Sequence, residues 1–415
     1  MFAHANRLLL KSIFRLKGDL AAGLRPPEKQ FDGVEIAPFL GRAQAAITIS
    51  ADFELEWAFR SLRLEEQELM GVRTRVNVPI ILRILEGASI PITWATVGHL
   101  FLESCERGSC GLAHSHMPRP PHNPHWDGDW YLHDPCTNLR KHPGWYAPDL
   151  IEMIRASSVR HEIGTHSFSH IDFSQETSND ELVRGELAEC QAVMGKLGLK
   201  PKSLVYPRNR MGHQYLDIIA DANITSVRHR DSTVRLTYPH RSESGVYKLY
   251  DSMNLRKGTG YDYPNKAKIF VGEAIQRNAA YHLWFHPSDE TEVFENEFRS
   301  IIRHVETLRD QGKVWPVTME NLTAYCEARQ KTKLTVERRT ESIRVCLDSG
   351  YDVARYGVTD LTLRVPLPRL PTKCFIGIGS DRRLVQARPE LDRTGETPVY
   401  LFDIPATASE LEIAY

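Results

Sequence analysis

Between residues 45 and 330, short apolar runs alternate with longer segments of helical periodicity, and this alternation limits the fold more than any other feature of the chain. Parallel strands can be joined only by crossovers of a dozen or more residues, usually helices, so the pattern predicts repeated βα units on one parallel sheet. Strands are expected at residues 47–53, 91–97, 161–164, 203–206, 224–228, 282–286 and 314–317. A helix is expected from Ser178, which stands at capping-box spacing from Glu181, to Gly198, with others at 214–222, 264–280, 290–311 and 319–330. Seven parallel strands with intervening helices suit an α/β fold, either an incomplete βα barrel or a large doubly wound sheet.

Outside this array the texture changes. Residues 1–44 read as an N-terminal extension with a short amphipathic helix at 8–16 and no secretory apolar region. Alternating segments at 342–347, 361–365, 374–378, 399–404 and 410–415, separated by Pro and Gly turns, predict a small all-β sandwich over 331–415. Its structural use outweighs carbohydrate binding, because it offers no aromatic platform. Residues 103–148, rich in Pro, Gly, His and Trp, interrupt the βα array, and so long an insertion points to a lid or an oligomer contact. Trp126, Trp130, Tyr131, Trp145 and Tyr146 within it either stack on sugar rings or pack the loop onto the barrel. Cys105, Cys110 and Cys136, with six histidines in the same stretch, invite a structural zinc, but the absence of a tight Cys pair favours a loop with free thiols.

Lys plus Arg number 52 against 53 Asp plus Glu, a balance that gives no electrostatic footprint for nucleic acid. No run approaches the roughly 20 apolar residues of a membrane-spanning helix. Seven cysteines without framework spacing suit a reducing compartment, and a cytoplasmic protein is expected.

The candidate chemistry gathers at one edge of the expected sheet. His166 and His170, directly after the strand at 161–164, would lie on one face of a helical turn, a spacing that a metal ion can bridge. Asp52 and Glu54 leave the first strand with the same parity, so one carboxylate can hold a cation while the other accepts a proton beside it; Glu56 shares the parity, but the strand is expected to bend before it. His286 ends the sixth strand, Arg208 follows the fourth and Arg228 ends the fifth. All stand at strand C-terminal ends, where parallel α/β folds assemble their sites.

These residues resemble the polysaccharide deacetylases with the NodB homology domain, carbohydrate esterase family 4, over roughly residues 45–330. His166-Ser167-Phe168-Ser169-His170 is similar to the family's His-Ser/Thr-x-x-His motif, residues 91–98 to its second strand, and Leu283-Trp284-Phe285-His286 to its last motif, Leu-x-x-His. The resemblance implies an incomplete seven-stranded barrel of the NodB type and metal-dependent hydrolysis of an amide, foremost de-N-acetylation of a sugar or glycan precursor. One divalent ion, zinc first, would be held by Glu54, His166 and His170, with Asp52 as general base and His286 as general acid. Asp52-Phe53-Glu54 departs from the usual adjacent Asp pair and resembles an Asp-x-Glu subgroup, in which the two acids can exchange roles. Val205 stands where the third motif normally has the Arg that orients the base, leaving Arg208 or Arg228 to supply that group, with Pro207, Arg228 and Trp284 lining the substrate. The alternatives are a catalytically impaired carbohydrate-binding or assembly subunit, and a hydrolase of another small amide such as a formylated amino sugar or a cyclic amide.

Overall fold

The computed structural model describes residues 25–230, 236–257, 262–379, 381–390 and 397–415, so the helix expected at 8–16 lies outside the described residues. In chain order the strands up to residue 316 are β1 (Gln30–Phe31), β2 (Val34–Ile36), β3 (Ala45–Phe53), β4 (Thr93–Thr96), β5 (Glu162–Thr165), β6 (Ser203–Val205), β7 (Ser226–His229), β8 (His240–Arg241), β9 (Tyr247–Tyr250), β10 (Met253–Leu255), β11 (Ala280–Phe285) and β12 (Val314–Pro316). Ten of them, β3 to β12, form one curled sheet in the order β10-β11-β3-β4-β5-β6-β7-β9-β8, with β12 also pairing β3. Every pairing is parallel except that of β8 with β9. The fold is the incomplete βα barrel expected, widened by β8, β9 and β10. Those three strands escape the apolar pattern because they are short and polar-laced, as in Tyr247-Lys248-Leu249-Tyr250.

All nine residues of β3 are buried, as a central parallel strand covered on both faces requires. The covering helices are α1 (Leu64–Ala88), α2 (Pro148–Arg155), α3 (Asp180–Gly195), α4 (Leu216–Asp221), α5 (Tyr263–Arg277), α6 (Arg299–Asp310) and α7 (Met319–Lys331). The longest, α1, has no counterpart among the expected helices. It buries Gln67, Thr74 and Asn77 while exposing Leu64, Val72 and Val76, and it carries Pro79, so its apolar stripe is blurred. α3 is capped not by Ser178 but by Asn179, whose side chain accepts the Leu182 N–H at 2.9 Å.

The C-terminal strands are β13 (Thr332–Arg338), β14 (Ser342–Ser349), β15 (Asp360–Pro366), β16 (Lys373–Ile378), β17 (Asp381–Leu384), β18 (Arg388–Pro389), β19 (Val399–Pro405) and β20 (Glu410–Ala414). They form two five-stranded sheets around a common core, β13-β14-β20-β16-β17 and β1-β2-β15-β19-β18. The second sheet recruits β1 and β2, so residues 30–36 pair with the C-terminal strands instead of standing apart within an extension ending at residue 44. Arg329 of α7, buried, ties the two parts together by donating to the carbonyls of Ile36 (3.1 Å) and Ala37 (2.9 Å). No helix among the described residues is long and apolar enough to cross a membrane.

Candidate active site

Asp52, Glu54, His166, His170 and His286 converge at the C-terminal edge of the barrel. Asp52 occupies the penultimate position of β3 and is buried; the Arg228 guanidinium, from β7, grips both of its oxygens, Nη2 to Oδ2 at 2.7 Å and Nη1 to Oδ1. Arg228 is held in turn by Ser50 Oγ (3.1 Å), by Asn209 Oδ1 (3.3 Å) and by the face of Trp284, 4.3 Å from the ring centre. A bidentate guanidinium fixes a carboxylate in position as well as in charge.

Beyond Phe53 the chain bends at Leu55, a left-handed residue (φ 50°), which leaves Glu54 facing the site and turns Glu56 away toward Gln67 and Gly144. Glu54 Oε1 lies 2.9 Å from His166 Nε2 and 3.1 Å from His170 Nε2. His286, just beyond β11, places Nε2 3.9 Å from Asp52 Oδ2 and 3.8 Å from Glu54 Oε2, and its side chain is 32% exposed. It is the solvent-facing member of an otherwise buried group.

The histidine loop is not helical. His166 and His170 approach each other through left-handed backbone at Ser167 and His170 (φ 59° at both), an expensive conformation for residues with a Cβ. Three side chains from outside it help to hold it. Glu186 of α3 accepts the Ser169 N–H (2.8 Å) and hydroxyl (2.6 Å), Trp130 of the insertion donates its indole N–H to Ser169 Oγ (2.8 Å), and Arg60 donates to the Ser169 carbonyl (2.8 Å). Arg60 is enclosed by the rings of Trp57, Trp126 and Trp130 at 4.6 to 4.8 Å.

The donor set fits a divalent cation. His166 Nδ1 sits 2.7 Å from the Val205 carbonyl, which can only accept, so the proton is on Nδ1 and in the neutral ring the Nε2 lone pair faces Glu54. An acceptor facing an acceptor in a buried site calls for a positive ion between them. Glu54 Oε2 and His170 Nδ1 are likewise buried without a hydrogen-bond partner. Burial lowers His170 to about 3, which keeps it neutral.

Other expected site residues lie elsewhere. Arg208 does not reach Asp52; its backbone is left-handed (φ 54°), and its guanidinium points to the Ala58 carbonyl (3.3 Å) and to Asp172 (3.6 Å). Pro207 is buried, and Trp284 is buried beneath Arg228 with its indole N–H on Asp251 Oδ2 (2.9 Å), so neither presents a surface to a substrate. Arg228, also buried, holds the acid instead of lining a groove. In the insertion, Trp130, Tyr131, Trp145 and Tyr146 are buried, which favours packing over sugar stacking for these four. Ser50 was readable, since it shares Asp52's face of the strand; Arg60, Glu186 and Asn209 carried no local signal.

Residues 71–227 match the family model of the polysaccharide deacetylases. Among solved structures, the chain is similar to one described as a polysaccharide deacetylase from Mycobacterium smegmatis (17% identity, 76% of this chain and 99% of that one, TM-score 0.51). Others are Puue allantoinase (14%, 72% and 93%, TM-score 0.47) and one described as a polysaccharide deacetylase from Pseudomonas aeruginosa PAO1 (12%, 69% and 92%, TM-score 0.47). No curated protein sequence matches. Residues 71–227 are thus similar to the polysaccharide deacetylases, and the barrel that carries them has the fold of the mycobacterial structure.

Proposed function

We propose that this chain removes an acyl group, foremost acetate, from the nitrogen of an amino sugar in the assembly of a surface polysaccharide or glycoconjugate. The observation that carries the reading is the division between the two acids: Glu54 turns to His166 and His170, while Asp52 is gripped by Arg228. Glu54, His166 and His170 would hold one divalent ion, zinc in the first instance, which when bound supplies a Lewis acid and an acidified water. Asp52, held stationary by Arg228, takes the proton of the attacking water. The water oxygen bonds to the acyl carbon, the carbon–nitrogen bond breaks, and His286 gives the departing nitrogen its proton. Its partial exposure suits a group that must meet the substrate. A cytoplasmic setting, with a nucleotide-linked or lipid-linked precursor as substrate, suits seven cysteines that are all free. The test is acetate release from a panel of such N-acetyl sugars, before and after chelation and with metal restored. No release from any of them by metal-loaded protein would sink the proposal.

A further inference from the structure

A second group of metal-ligating side chains lies where the insertion meets the turn after β4. His99, Cys105, His114 and Asp134 bring one ligand atom each to within 4.8 Å of one another, and all but the half-buried Cys105 are buried. We propose that these four residues bind a structural zinc-class ion, separate from the catalytic one, that fastens the insertion to the barrel.

Three observations carry this. The spacing suits a tetrahedral ion, whose ligand bonds place neighbouring donor atoms about 3.4 to 3.6 Å apart. His99 Nε2 is 3.3 Å and Cys105 Sγ 3.6 Å from Asp134, with His114 Nε2 closer at 2.9 Å. Next, His99 is fully buried, and its Nε2 makes no hydrogen bond. Its Nδ1 lies 3.2 Å from both the Trp145 carbonyl and the Trp57 indole nitrogen. With Nδ1 donating to the Trp145 carbonyl, Nε2 is a lone pair 3.3 Å from Asp134 Oδ2, an acceptor facing an acceptor that a cation between them would satisfy. Finally, a thiolate, a carboxylate and two neutral imidazoles around a divalent ion sum to zero charge, which is what burial demands.

The surrounding bonds match those that orient metal ligands. The Tyr146 hydroxyl, 3.2 Å from Cys105 Sγ, accepts the Thr137 N–H at 2.9 Å, leaving its own hydrogen for the sulfur. Asp134 Oδ1 accepts the Cys136 N–H at 2.9 Å. Sulfur with two imidazoles selects zinc, cobalt or iron over magnesium or calcium. Four protein ligands leave no open position, the mark of a structural site.

Metal analysis of the purified full chain tests the proposal. Wild type should hold about two equivalents, and the chain with both His166→Ala and His170→Ala about one. Cobalt-loaded wild type should show a thiolate-to-cobalt charge-transfer band, lost in Cys105→Ser and kept when the exposed Cys110 is changed to Ser. The wild-type band needs no variant to fold. A metal-free histidine double variant, or cobalt-loaded protein without the thiolate band, would overturn the site.

Discussion

The two clusters draw on the same side chains, a pair of histidines and a carboxylate, yet their surroundings differ. The site at Glu54 opens through a partly exposed His286 and keeps a further acid, Asp52, clamped beside it. The cluster at Asp134 replaces that opening with Cys105, and the insertion closes over it. Reactivity therefore comes less from the donor types than from what is left uncovered: an open position with a proton donor and acceptor makes a catalyst, and a closed shell makes a fastening.

His170→Ala should break this contrast most severely. It removes one donor of the open site, so turnover should fall at least about 10⁴-fold, the upper end of what a positioned group contributes, while the closed cluster keeps its ion. Full activity with unchanged metal content would refute the ligand assignment. His286→Ala tests the opening itself: turnover should drop roughly 100-fold with metal content preserved, because a proton donor is lost and no ligand is. If the metal also left, His286 would be a ligand and the acid would have to be another group.

A finer distinction separates the two arginines. Arg228→Lys forfeits one of two charge-assisted bonds to Asp52, worth about 1.5 to 3 kcal/mol, so activity should fall about 10- to 100-fold. Arg208→Ala should cost only a few-fold, and the reverse ranking in steady-state kinetics would make Arg208 the partner of the base. The smallest effect concerns Glu162, at the start of β5 and so at the opposite end of the barrel strands, where burial and then Glu320 push the carboxyl up to about 8. The folded chain holds a proton there that the unfolded chain releases near its ordinary value of about 4.3, so stability should decline as pH rises between those limits. Glu162→Gln should flatten that decline in urea-melt midpoints measured across the range, and an unchanged slope would count against it.

The barrel was legible because strands covered on both faces are mostly apolar, as 45–53 is apart from Thr48, Ser50 and Asp52, and the site because its polar residues stand at or near the ends of such runs. What escaped has physical reasons. Strand parity says which face Asp52 takes but not how far an arginine several strands later will reach, so Arg208 and Arg228 could not be told apart. The cluster at Asp134 draws on ligands spread from His99 to Asp134, with no tight pair to betray it. β1 and β2 are too short to carry a period.

One detail of the histidine loop has a use in solution. The Gly98 and His99 amides donate to the carbonyls of Ser167 and Phe168 at 2.8 and 3.0 Å, joining the turn that bears one cluster to the loop that bears the other. Their protons trade with deuterium only when that seam parts. A peptide spanning residues 95–101, whose label includes the Gly98 and His99 amides, followed by mass spectrometry, would thus time the opening of both regions at once and show whether emptying either cluster loosens the other.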